Sequence, residues 1–128
     1  MYFVSEQPRD PTDNQVLLRG LLAAEPHVRI LPSGDELCSF RLTVVRPKGS
    51  YGRARSDSID CATTRAAARR MVTRCSPGER VEVSGSLRRR FWRSASGAPA
   101  SRYEVEVTNV RRLRNSSSGK GAMIDEEK

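Results

Sequence analysis

From Asn14 onward the apolar residues recur mostly at the two-residue spacing of strands, interrupted once by a helical stretch. The run NQVLLRGLLA carries Val16, Leu18 and Leu22 on one face and Leu17 and Leu21 on the other, with Gly20 where a strand would bend. A strand wetted on one side does not need apolar residues on both. The next stretch, AEPHVRILPSGDE, holds two prolines and the turn signal Pro32-Ser33-Gly34, so the chain reverses there and forms a hairpin with the next strand. From Leu37 to Val45, Cys38, Phe40, Leu42 and Val44 alternate with Leu37, Ser39, Arg41 and Thr43, which assigns Phe40 to the core. PKGSYGRARSD, residues Pro47 to Asp57, reads as a basic loop, and Ser58 to Thr63 as a short strand. Arg65 to Cys75 is rich in Ala and Arg with no breaker and predicts a helix, ended by Ser76-Pro77-Gly78. Its apolar stripe, Ala66, Met71 and Val72, is thin, as suits a helix that plugs one end of a barrel. In ERVEVSGSLRRRFWR, Val81, Val83 and Leu87 point inward, while Glu82, Ser84, Ser86, Arg88, Arg90 and Trp92 point out. Gly85 marks a bulge or bend in it. Ser101 to Leu113 resumes alternation, with Tyr103, Val105 and Val107 against Glu104, Glu106 and Thr108, so the last two strands form a long hairpin.

A chain of 128 residues, 37% hydrophobic, supports one domain. The expected division is a loose arm over residues 1–13, a folded domain over 14–114 and a polar, acidic-ended tail over 115–128. A net charge of +8 points to a polyanionic partner. The sequence has no apolar run long enough to span a membrane, and MYFVSEQ is too short and acidic for a secretory signal. A cytoplasmic protein is expected, for which Asn115-Ser116-Ser117 is an empty match to a glycosylation sequon. Cys38, Cys61 and Cys75 are odd in number and lack CxxC spacing, which predicts free, buried thiols and no zinc. An enzyme is not expected. His27 is the only histidine, Gly119-Lys120-Gly121 lacks the upstream glycine of a phosphate loop, and Asp57 and Asp60 are thin support for a nuclease when arginines can pair with both. No catalytic residue, metal or cofactor is predicted.

Basic charge concentrates after Gly85, where Arg88, Arg89, Arg90, Arg93, Arg102, Arg111, Arg112 and Arg114 face only Glu104 and Glu106. Displaying the single tryptophan, Trp92, among guanidinium groups suits a flat anionic ligand such as single-stranded nucleic acid, whose phosphates pair with Arg and whose bases stack on the ring. Five strands with one short helix between the third and fourth is the layout of an OB-fold, a small, partly open all-β barrel. An RNA-binding or ribosome-associated module of that fold shares the same physics.

In order and spacing, Asn14-Gln15-Val16, Gly20, Pro26 with Val28-Arg29, Pro32-Ser33-Gly34, Phe40-Arg41-Leu42, Pro77-Gly78, Val83, Gly85, Leu87-Arg88, Trp92 and Arg102-Tyr103 resemble bacterial single-stranded-DNA-binding proteins, from about Asp13 to Leu113. The resemblance implies sequence-independent binding and protection of single-stranded DNA in replication, recombination or repair. The resemblance places Arg88, Arg90 and Trp92 on positions that hold the strand, and Arg41, Tyr51, Arg53, Arg55, Ile59, Arg65 and Arg102 are the further candidates for nucleic-acid contact. Ile59 matches a stacking Trp of the family, Tyr51 offers an aromatic in place of a second Trp, and Arg65 matches a Phe. Affinity should therefore lean on phosphates and depend strongly on salt. The resemblance also implies a homotetramer built through Val16, Leu17, Leu18, Arg19 and Leu21 of the first strand, with Asp60 where the family places a His. The short tail ending in Met123-Ile124-Asp125-Glu126-Glu127-Lys128 resembles the family's enzyme-recruiting tip only weakly, as in a secondary paralogue.

Overall fold

In the computed structural model, which describes residues 12–114, the chain forms β1 (Val16–Leu22), β2 (His27–Ile30), β3 (Glu36–Val45), β4 (Ser56–Thr63), α1 (Ala66–Thr73), β5 (Arg80–Arg93) and β6 (Pro99–Arg112). The expected arm, apart from its last two residues, and the expected tail lie outside the described residues. The strands run in the order β1-β5-β6-β4-β3-β2, and β1 also pairs with β3, so five of them make a ring with β2 on its outside. Two seams close the ring. Leu21 and Leu22 of β1 meet Thr43 and Leu42 of β3, and Cys61 and Ala62 of β4 run parallel to Val105 and Glu106 of β6.

Five strands are expected from the sequence and a sixth is present. The first strand ends at Leu22, and pairing resumes just after Pro26, which has no N–H to donate, as the short β2 from His27. The predicted reversal at Pro32 to Gly34 is the β2–β3 turn, with Gly34 in the left-handed region at φ 93°. Leu22, Cys38, Phe40, Leu42, Cys61, Val81, Val83, Val105 and Val107 fill the ring, placing Phe40 in the core as its alternation predicts. The helix packs against β6. Ala68 and Val72, one turn apart, are its buried residues, and Ala66 is exposed because it opens the first turn, directly after the N-cap Arg65.

Gly85 sits at the irregularity that its sequence position predicts. Ser84 pairs with Asn109 but Gly85 pairs with Val107, leaving Thr108 as the extra residue of a bulge on β6. A Cβ at Gly85 would run into the carbonyl oxygen of Glu106, with that carbonyl's carbon 2.9 Å away. Beyond the bulge the hairpin leaves the barrel as an arm, and every β5 residue from Leu87 to Arg93 is exposed. Leu87, expected on the buried face, is 45% exposed for this reason. Asn14 ties the base of the arm to β1: its side-chain amide donates to the Leu87 carbonyl at 2.8 Å and accepts from the Leu87 N–H at 2.9 Å.

Candidate nucleic-acid interface

Antiparallel register past the bulge sets Arg88 opposite Glu104, Arg90 opposite Arg102 and Trp92 opposite Ala100. Directly opposed residues share a face, so Arg88, Arg90, Trp92 and Arg102 stand together on what we term the front of the arm. Two carboxylates hold this row in place. Arg88 Nε donates to Glu106 at 2.8 Å, and Arg90 Nε donates to Glu104 at 2.6 Å while Arg102 approaches the same carboxylate at 3.5 Å. Glu104 is buried beneath the two guanidinium groups it joins. The Arg102 guanidinium lies 5.9 Å from the Trp92 ring centroid, within cation–π range, and the indole remains 47% exposed. Between the front of the arm and the β2–β3 hairpin runs an open cleft of about 700 Å³, lined on the far side by Arg29, Leu31, Leu37 and Ser39. A cationic cleft with an indole at its rim can pair with phosphates and stack a base in one place.

The other sequence-predicted residues distribute around this cleft and away from it. Arg41 donates to Asp60 at 3.0 Å across the β3–β4 ladder, so two residues assigned to different roles are partners. Arg46 grips Asp57 through Nε and Nη2, the latter at 2.7 Å, and its Nη1 donates to the Tyr51 carbonyl. The hydrogen bond from Arg46 holds the Asp57 carboxyl below its ordinary value. Both aspartates are thus partnered by arginine, as the sequence predicts. The loop latched this way displays Tyr51 at 97% exposure, with Arg53 and Arg55 also exposed. Ile59 is half-buried and packs against the core from β4. Arg65 is exposed at the N-cap of α1, its N–H donating to Thr63 Oγ1. On β1, Val16 and Leu18 lean on the core, while Leu17 and Leu21 face outward beside Arg19, whose Nε donates to Glu82 at 2.8 Å.

Sequence reasoning does not place Arg29 or Glu104 at the cleft. Arg29 reaches it because β2 forms a strand of its own. Glu104 looks like one of two equivalent wet-face glutamates, yet it lies buried beneath Arg90 and Arg102. The three thiols are free and buried, and burial pushes Cys61 up to about 12. Such thiols are poor nucleophiles. Among the described residues no three His, Cys, Asp or Glu side chains gather as a metal site would require, and no helix is long and apolar enough to cross a membrane.

The model of the single-strand binding protein family matches residues 13–113, the barrel and the whole arm. The chain belongs to this family. Family membership makes it one of a group of binding proteins, and similar members align along most of the chain. The single-stranded DNA-binding protein of Halalkalibacterium halodurans is 30% identical over 115 residues, spanning 88% of this chain and 68% of its own. Single-stranded DNA-binding protein B of Bacillus subtilis is 30% identical over 99 residues, 77% of this chain and 88% of its own. A solved structure, the Plasmodium falciparum SSB complex with ssDNA, superposes with a TM-score of 0.68 at 21% identity, covering 84% of this chain and 100% of that one. The family's fold is thus this ring of strands, an OB-type barrel, with α1 between the third and fourth strands of the ring.

Proposed function

We propose that the protein binds single-stranded DNA without marked sequence preference and protects it during replication, recombination or repair. The observation that carries this reading is the row of Arg88, Arg90 and Arg102 beside a half-exposed Trp92 at the rim of an open cleft. Backbone charge and a stacking surface are available to every sequence. Tyr51, Arg53 and Arg55 extend the cationic, aromatic character onto the exposed loop, Arg65 adds charge at the N-cap of α1, and Arg41, paired with Asp60, completes the set from β3. Catalysis has no part in this reading, and a cytoplasmic, nucleoid-associated location suits it. Recruitment of replication and repair enzymes would fall to the tail.

The test is anisotropy of labelled oligothymidylate, its duplex and an equal-length RNA, with Trp92 fluorescence monitored in parallel. Preference for the DNA single strand, with quenched indole emission, is expected. A strong preference for duplex, a preference for RNA, or unchanged emission at saturation would overturn the proposal.

The same reading includes a homotetramer. β1 meets β3 only at Leu21 and Leu22, so the rest of that edge has no partner strand among the described residues, and Leu17 and Leu21 leave apolar surface beside it. Arg19 is already neutralised by Glu82, which lets such an edge meet its own copy across a two-fold axis. Asp60, held by Arg41, stands at the second contact that the family resemblance implies. Light scattering at micromolar concentration should report four subunits. A monomer mass would overturn this part alone.

A further inference from the structure

The reverse of the arm is chemically unlike its front. Leu87, Arg89, Phe91 and Arg93 alternate with the front row, and Tyr103 and Ser101 stand opposite Arg89 and Phe91. Phe91 is 73% exposed and Tyr103 59%, both more open than Trp92. The Arg89 guanidinium lies 5.3 Å from the Phe91 ring centroid and 5.4 Å from that of Tyr103, and it is anchored by hydrogen bonds to Ser101 Oγ at 3.2 and 3.0 Å. No carboxylate stands on this face: the only acidic side chains of the arm, Glu104 and Glu106, hold the front arginines. Among the described residues neither Arg89 nor Arg93 has an acidic partner, although Arg93 donates to the Gly97 carbonyl.

We propose that the reverse face, through Phe91, Tyr103 and Arg89, is a second contact for the single strand, which therefore passes round the arm and is gripped on both sides. The proposal rests on the functional reading above and adds a site to it. Two large exposed rings are platforms for bases, and a guanidinium fixed between them lacks only an anion, which a phosphate supplies. A second copy of the chain fits the same face poorly. An isologous contact would bring Arg89 and Arg93 of both copies together with no carboxylate to offset them.

The full-length chain is tested with oligothymidylate long enough to reach both faces. Phe91→Ser with Tyr103→Ser should weaken binding by about fivefold or more for each stacked base lost, while Trp92 is still quenched at saturation. Arg89→Ser, which keeps both rings, should weaken binding and lessen its dependence on salt. Photo-cross-linking of an oligomer carrying 5-iododeoxyuridine should give an adduct on the peptide that contains Tyr103. Parent affinity in both variants, or adducts confined to the front of the arm, would overturn the proposal. So would a variant whose light-scattering mass changes at unchanged affinity, since that assigns the face to another subunit. If the parent chain itself binds no single strand, the functional reading fails first, and this inference falls with it.

Discussion

Arg88 and Glu106 form an ion pair in which both side chains are about half exposed, at 50% and 46%. Pairs so open to water stabilise a fold by about 0 to 1 kcal/mol, because solvent screens the attraction. A phosphate can therefore take the guanidinium over at small cost to the protein. Glu106→Gln should tighten oligothymidylate binding about two- to fivefold at low salt, the equivalent of that pair energy, with little change in melting temperature. Titration of parent and variant side by side checks it, and equal affinities would show that Arg88 does not exchange partners. Glu104 is a different case. Its carboxylate is buried and shared by Arg90 and Arg102, so it holds the row in position more than it competes for it. In the proposed site one residue tunes the charge, and the other holds the row in place.

At the scale of the elements, the bulge at Gly85 decides where the barrel ends and the arm begins. An added methyl group there would collide with the Glu106 backbone, which cannot swing aside as a side chain can. Gly85→Ala should cost about 1 to 3 kcal/mol or more, the usual range for overpacking, and loosen the arm. A denaturant melt of the variant measures it, and parent stability would mean that the two strands can part at the bulge without penalty. Gly85 also shows how much the sequence discloses. Alternation in Val81 to Trp92 and a glycine breaking it are enough to predict a basic strand with a kink, and the helix, the Pro32 to Gly34 turn and the core position of Phe40 come from equally local signals. Whatever depends on register across strands is not legible. Leu87 reads as a core residue until the arm is seen to leave the barrel, and the carboxylate partners of Arg88 and Arg90 depend on the one-residue shift at Thr108. β2 goes unpredicted because four residues between two prolines carry too little pattern to announce a strand.

Across the whole molecule, carboxylates bind distant segments together. Glu79, just before β5, accepts from Arg112 at the end of β6, and Glu82 accepts from Arg111 of β6 and Arg19 of β1. Hydrogen bonds from Arg112 hold Glu79 below the ordinary glutamate value, and those from Arg111 and Arg19 do the same for Glu82. Because the folded values lie below the unfolded ones, the stabilisation is full above the unfolded value of about 4.3 and is lost as pH falls through the folded values. The melting temperature should hold nearly level from about pH 7 to pH 5 and drop below about pH 4, less steeply in Glu82→Gln. An equally steep drop in that variant would place the acid sensitivity elsewhere. The ring's two narrow seams have a kinetic consequence. The arm's strands are neighbours in the chain, whereas the parallel seam joins Cys61 to Val105, so its loop must close before that contact stabilises anything. The β5–β6 hairpin should therefore be ordered at the folding barrier and the seam should form after it. Val83→Ala should chiefly slow refolding, and Ala62→Gly should chiefly speed unfolding. Stopped-flow chevrons with the two effects interchanged would reverse that order. On the order expected, the proposed binding surface is assembled before the barrel shuts behind it.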